Sequence, residues 1–267
     1  MNVPVVSVLM GVYNGESTIA ASIESIKRQT FSDWELIIYN DGSTDFTDEI
    51  LKKYSRNDSR IVIIDNQGKN GLASGLNKCL SVARGKYIAR MDDDDISLQQ
   101  RFSKQVEYLD KNSYVDAVGT GMIVFDDIAD RGIRRNETVV TKDSFLKGSP
   151  FFHPTIMIKR EVLQSLGGYR EDVGRAEDLD LWFRFFQAGY VGTNLKEPLI
   201  KYHEDVTDYK KRTLRSGIIT CQVLFKGYKA INIPFKKRWR ALKPFFSALI
   251  PNKLMAIYHE STLDRKL

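Results

Sequence analysis

Residues 90–102 read RMDDDDISLQQRF, with four carboxylates in succession, Asp92 to Asp95. Four adjacent negative charges repel one another, so the run needs either full solvation or a cation. A twelve-residue calcium loop starting at Asp92 would require glycine at its sixth position and glutamate at its twelfth. Ser97 and Ser103 stand there instead. Magnesium or manganese, held by one or two carboxylates together with a ligand's phosphates, makes fewer demands on the loop. A second acidic pair, Glu177 and Asp178, opens the stretch EDLDLWFRFFQAG (177–189), which has helical apolar spacing and a glycine stop. Orphan N–H groups at a helix start favour negative charge, so on spacing alone ordinary helix-end placement explains this pair.

The elements that must carry these acids are readable. VPVVSVLMGVY (3–13), WELIIYN (34–40), RIVIID (60–65) and KYIARM (86–91) are apolar, β-branched runs of strand length. Helical patterns fall between them: about 18–29 with Ser17 as its cap, about 45–55, and 71–85 closed by Gly85. The alternation predicts an α/β fold with a mainly parallel central sheet and helices on both faces. In such sheets ligands bind beyond the carboxyl ends of the strands. Three polar clusters fall there, YNGE after the first strand, NDGSTD after the second and DDDD after the fourth. They should share one rim. From residue 98 the alternation loosens into a helix (98–111), a hairpin from 116, a short strand (155–159), the helix at 177–189 and a strand at 198–203. Trp182 and Phe186 lie at helical spacing and read as core, and Asn77 as a loop support. His153, before Pro154, suits either an acceptor pocket or a structural turn.

The 267 residues, 42% hydrophobic and 28% charged, describe a globular chain. No apolar run reaches 18 residues, so no spanning segment is expected. The N-terminus lacks the basic flank of a signal peptide. Cys79 and Cys221 lie in apolar surroundings without metal-ligand spacing, which reads as buried free thiols in a reducing compartment. Charge is uneven: residues 1–200 carry a balance of −4 and residues 201–267 one of +10. In PFKKRWRALKPFFSALI (234–250), Phe235, Trp239, Leu242, Phe246 and Leu249 recur at helical spacing among five cations, with Pro244 expected to split the segment. A basic amphipathic helix with aromatic anchors suits an anionic membrane surface. The competing reading is a brace on the body. If the membrane reading holds, a chain cut after about residue 230 should stay folded. No nucleic-acid motif accompanies the charge.

Taken together, SVLMGVYNGESTIAASIESIKRQTFSDWELIIYNDGSTD (7–45), GLASGLNKCLSVARGKYIARMDDDD (71–95) and RAEDLDLWFRFFQAGY (175–190) resemble the family-2 nucleotide-diphospho-sugar glycosyltransferases of the GT-A fold. The match is closest to bacterial enzymes that build capsule, exopolysaccharide or O-antigen repeats. The resemblance implies a Rossmann-like GT-A catalytic domain over 1–205, with a nucleotide-binding half (1–95) and an acceptor-binding half (96–205), followed by a basic helical tail (206–267). It places Val12 and Tyr13 against a uridine ring and Asp41 on the uracil N3–H, with Asn40 where the family usually has a first acid. Asp92 and Asp93 fall on the nucleotide-sugar side, and Asp94 and Asp95 hold Mn2+ or Mg2+ against the diphosphate. Asp178 becomes the general base, and the reaction inverts the anomeric centre. Glu16 reaches the base or caps the first helix. Glu177, His153 and His203 fall on the acceptor or diphosphate side. The implied donor is UDP-linked and the acceptor a glycan on a lipid carrier. The implied place is the cytoplasmic face of the cell membrane, with the tail on anionic lipid. A nucleotidyltransferase would need a basic Gly-rich first loop, which MGVYNGES is not. An inactive glycan- or membrane-binding module would be expected to have lost Asp94 or Asp178.

Overall fold

The computed structural model describes residues 3–205 and 213–264. The N-terminal half alternates as β1 (Val6–Val12), α1 (Ile19–Lys27), β2 (Trp34–Asn40), α2 (Thr47–Asn57), β3 (Ile61–Asp65), α3 (Leu72–Val82) and β4 (Tyr87–Arg90). There follow β5 (Ile96–Ser97), α4 (Arg101–Lys111), the hairpin β6 (Ala117–Phe125) and β7 (Asp130–Arg134), β8 (Met157–Lys159), α5 (Arg160–Ser165), α6 (Glu177–Gln187) and β9 (Gly192–His203). The nine strands form one sheet in the order β3-β2-β1-β4-β8-β6-β9-β5, with β7 beside β6. β3, β2, β1 and β4 are mutually parallel, β8 enters antiparallel, and β6–β9 is again parallel.

The strands alternate faces as their period of two requires. Val6, Val8, Met10 and Val12 of β1 pack with Ile19, Ile23 and Ile26 of α1, Leu51 of α2 and Phe102 of α4. Leu9 points the other way, into a cluster with Leu76 and Cys79 of α3, Leu163 of α5 and Trp182 and Phe185 of α6. Each such buried aliphatic contributes about 1.5–3 kcal/mol. Because both faces are covered, β1 and β2 are mostly apolar rather than alternating, and their buried polar residues Ser7 and Glu35 are hydrogen-bonded to each other at 2.7 Å. The helices after β1 and β2 lie on one face and α3 on the other, so the chain reverses its winding between β1 and β4. That reversal opens a crevice at the carboxyl ends of these two strands, the usual place for a ligand.

Two helix-end expectations are corrected. Ser17 does not cap α1; Thr18 stands at that position without a side-chain cap, and the Gly15 carbonyl accepts the Thr18 and Ile19 N–H groups instead. Gly85 does not close α3 as a left-handed stop, because the helix already ends at Val82 and Ala83 is extended. Gly85 is needed for close approach: a Cβ there would lie 2.5 Å from the Ser7 nitrogen on β1. Gly189, at φ +84, is the left-handed stop expected after α6.

The tail begins with α7 (Leu214–Ala230), passes through a 3-10 turn (Phe235–Leu242) and ends in α8 (Lys243–Leu249) and α9 (Asn252–Ser261). Residues 206–212, with the boundary proposed after 205, lie outside the described residues. The segment 234–250 is not one α-helix. Pro244 has no N–H to give the Arg240 carbonyl, so the α-helix starts only at Lys243, with the proline in its first turn where that loss is harmless. The tail is also more than an appendage. Ile231, Ile233 and Ala241 are buried, and Asp264 exchanges both backbone hydrogen bonds with Ile133 of β7, at 2.8 and 2.9 Å. Truncation after residue 230 would strip these contacts, so the expectation that the shortened chain stays folded is withdrawn. The brace and the surface reading are compatible. Among the described residues Phe235 (84% exposed), Trp239 (66%), Phe246 (58%) and Leu249 (57%) still face solvent.

Candidate active site

The three polar clusters meet on one rim. After β1, Asn14 adopts a left-handed turn (φ 55) and is tied to the loop after β2: its N–H donates to Ser43 Oγ at 3.0 Å, and its Oδ1 accepts from the Thr44 N–H at 2.8 Å. The Gly15 N–H donates to Thr47 Oγ1 at 2.9 Å. Gly15 also touches the third cluster, since a Cβ there would lie 2.5 Å from Asp93 Oδ2. Ser22 of α1 donates to the Asp93 and Asp95 carbonyls at 2.8 and 2.6 Å, fixing the acidic loop against the helix.

Within the acidic run, successive side chains diverge. Asp93 turns toward Gly15, whereas Asp92, Asp94 and Asp95 each offer a carboxylate oxygen within 4.8 Å of the other two. Asp92 thus joins the pair that the sequence reading gave to the metal. β5 pairs with β9, and this brings the His203 N–H to Asp95 Oδ1 at 3.0 Å and its ring Nδ1 to 4.0 Å from Asp94 Oδ2. Asp95 is fully buried and its Oδ2 has no protein partner. Burial, and then the neighbouring aspartates, push Asp93 up to about 7 and Asp94 to about 6, and hold Asp95 well above the usual carboxylate range. An all-oxygen set with one orphaned buried oxygen fits a hard divalent cation such as Mg2+ or Mn2+. Such an ion would favour the ionised forms that burial disfavours.

Arg90, the last residue of β4, was missed from sequence. Its guanidinium is buried and paired with Asp92, while Nε and Nη1 have no protein partner. Burial works against its charge, but Asp92 more than compensates and raises its pKa. Arg90 is the positive centre against which these carboxylates are arranged. A basic residue immediately before an acidic run was the available signal.

Asp41 is buried, and its two carboxylate oxygens accept the Asn70 and Gly71 N–H groups at 2.7 and 2.9 Å. It therefore holds the loop after β3, each oxygen keeping a further lone pair. Tyr13 is exposed, with the Lys69 ammonium 3.7 Å from its ring centroid, and Val12 is buried beneath. Glu16 accepts the Phe46 N–H at 2.9 Å, so it caps α2 rather than α1.

A cavity of about 1000 Å³ lies against this rim, lined among others by Asn70, Gly71, Arg90, Asp92, His153 and Tyr202. Glu177 and Asp178, at the start of α6, line it too. Val12, Tyr13, Asp41, Asp94, Asp95 and His203 do not line it, although the Asn70–Gly71 backbone held by Asp41 does. The volume reaches the upper end of small-molecule sites. Burial, then Asp178, pushes Glu177 up to about 7, and burial raises Asp178 as well. Asp178 Oδ1 accepts the Leu179 N–H at 2.7 Å, which orients the carboxylate. His153 sits in a 3-10 turn with Pro154; burial holds its pKa well below normal, and its Nε2 lies 3.0 Å from Tyr169 Oη. It is both a turn residue and part of the cavity wall. Asn77 clasps the Tyr169 backbone on both sides, as a loop support should.

Comparison with known proteins bears on the family and the fold. The family model described as glycosyl transferase family 2 matches residues 7–167. A Bacillus subtilis (strain 168) protein named as glycosyltransferase EpsE is 42% identical over 260 residues, covering 96% of this chain and 94% of its own. The Escherichia coli enzyme WfaP, named UDP-Glc:alpha-D-GlcNAc-diphosphoundecaprenol beta-1,3-glucosyltransferase, is 29% identical over 200 residues, 74% of this chain and 77% of its own. Among solved structures, S. aureus TarS 1-349 in complex with UDP-GlcNAc superposes with a TM-score of 0.72 at 18% identity, covering 91% of this chain and 72% of that one. The mannosyltransferase PcManGT from Pyrobaculum calidifontis, in complex with GDP-Man and Mn2+, gives a TM-score of 0.64 at 20% identity over 98% and 81%. At such identities the structures speak for the fold, which is GT-A. The extent of the family match and the near full-length relative decide the rest: the chain belongs to glycosyl transferase family 2.

Proposed function

We propose that this chain transfers a sugar from a UDP-linked donor to a glycan on a lipid carrier, with inversion, in the synthesis of a bacterial surface polysaccharide. The observation that carries the reading is that one cavity joins Asp92 of the acidic cluster to Asp178 on α6. The donor would lie between Tyr13, the loop held by Asp41, and Asp92. Asp92, Asp94 and Asp95 would hold a divalent cation, which when bound stabilises the charge developing on the leaving diphosphate. Arg90 fixes the Asp92 carboxylate. Asp178 accepts the proton of the acceptor hydroxyl while that oxygen bonds to the anomeric carbon and the bond to the diphosphate breaks. A single displacement from the opposite side inverts the centre. The UDP-GlcNAc of TarS and the Mn2+ of PcManGT support the donor and the ion class, and the diphosphoundecaprenol acceptor in WfaP's name supports the carrier. Retention of both Asp94 and Asp178 argues against an inactive binding module.

The cation is tested by thermal melting. Without it, burial and then the neighbouring Asp92 hold Asp94 at about 6, above its ordinary 3.8, and Asp95 well above the same value. The stability they contribute is full below about pH 4 and is lost as pH rises through about 6 for Asp94. Saturating Mn2+ should therefore raise Tm more at pH 8 than at pH 5, where protons compete for the same oxygens. An equal shift at both pH values would remove these carboxylates as ligands.

The tail would rest on the cytoplasmic face of the membrane. No helix among the described residues is long and apolar enough to cross it. Exposed Trp239 and Phe246 would enter the interface, with Lys236, Arg240 and Lys253 above anionic headgroups at about 1 kcal/mol per cation. W239E/F246E should abolish co-sedimentation with phosphatidylglycerol vesicles and leave Tm unchanged. Wild-type binding should weaken between 50 and about 300 mM salt as screening sets in. Vesicle binding that survives the double substitution would place the membrane surface elsewhere.

A further inference from the structure

A second cavity, of about 370 Å³, adjoins the first and shares Lys147, Arg175, Asp178, Lys243 and Tyr258 with it. One side is apolar, formed by Phe145 and Leu146 of the body with Leu224, Tyr228 and Met255 of the tail. Among the described residues, four cations line it, Lys147, Arg175, Arg240 and Lys243, and Asp178 is its one carboxylate. Lys147 pairs with Glu137, and Arg240 reaches the Leu146 carbonyl at 3.5 Å. Arg175 and Lys243 are exposed at the shared wall.

We infer that this cavity receives the phosphate-bearing lipid end of the acceptor. The inference rests on the proposed transferase function and adds where the acceptor's carrier is held. A base at Asp178 needs the acceptor hydroxyl beside it, and the donor side of the large cavity lies toward Asp92. Among the described residues, the second cavity also opens onto Asp178. Its cation excess complements a phosphate or diphosphate, and Arg175 can grip such a group bidentately. Its apolar wall suits the first carbons of a lipid chain. The helices α8 and α9, which give Ser247 and Met255 to this cavity, also expose Phe246, Leu249, Leu254 and Ile257 to solvent. The tail, on this account, is a wall of the acceptor site as well as a brace.

The test uses calorimetric titration of the intact chain in EDTA, so that no cation can carry a diphosphate into the donor site. Farnesyl diphosphate is the probe, with farnesol and inorganic pyrophosphate as controls. Farnesyl diphosphate should bind at least about tenfold more tightly than either control, because it alone has both the anion and the chain. R175Q/K243Q, two exposed positions whose replacement should leave Tm unaltered, should raise its Kd at least about tenfold, and UDP should not displace it. Competition by UDP, indifference to the double substitution, or equal binding of farnesol or pyrophosphate would each overturn the inference. UDP release from nucleotide sugars by the wild-type chain with Mn2+ is measured alongside. Its absence would sink the transferase reading; its presence with any of those three results would sink the acceptor site alone.

Discussion

Asp178→Asn is expected to bind a UDP-sugar with unchanged affinity and to lose about 10²–10⁴-fold in kcat. The amide keeps the size of the side chain but cannot take the proton of the attacking hydroxyl, and a positioned base is worth roughly that factor. A defect in kcat with donor affinity preserved marks an interaction used in the transition state and not in binding. The wild-type pH profile carries the same information. Burial raises the Asp178 pKa, so the base is ionised only above the ordinary carboxylate range. The rate should therefore fall with decreasing pH earlier than an exposed aspartate would dictate, and that limb should vanish in the variant. Near-normal turnover would pass the role to Glu177, whose carboxyl burial and Asp178 together push up to about 7.

Asp94→Ala is expected to cost about 10²–10³-fold in transfer, the usual scale for removing one preorganised electrostatic contact to the developing charge. It should also weaken UDP binding in Mn2+ while leaving the weaker binding in EDTA unchanged. The asymmetry follows from the geometry: Asp94 shares a 4.8 Å cluster with Asp92 and Asp95 but does not line the large cavity, so its link to the donor runs through an ion. Equal loss of affinity in both buffers, measured by calorimetry, would make Asp94 a direct donor contact.

Much of this centre was legible in the sequence because its residues stand where strands end. An apolar run such as Val6–Val12 announces a strand buried on both faces, and parallel strands with crossover helices send their carboxyl ends to one rim. YNGE, NDGSTD and DDDD therefore met without any knowledge of distances. What stayed hidden depends on packing between distant segments. Arg90 reads as an ordinary strand residue until the fold buries it against Asp92. Asp92 joins Asp94 and Asp95 only through the turn that sends Asp93 toward Gly15. The two-residue β5 is too short for any period to register, yet through β9 it delivers His203 to Asp95. The tail shows the same limit. Its apolar spacing was visible, but Pro244 and the bridge between Asp264 and Ile133 decided which part packs and which part stays exposed.

One assay reads whether the acidic cluster at the β4 end and Asp178 together move a sugar off a nucleotide diphosphate. UDP release from a panel of UDP-sugars is followed with the intact chain in Mn2+ and then in excess EDTA. Release is expected from at least one donor in Mn2+, lost in EDTA and restored when Mn2+ is returned. Release that continues undiminished in EDTA, or a chain that neither binds nor cleaves any donor of the panel, would contradict it.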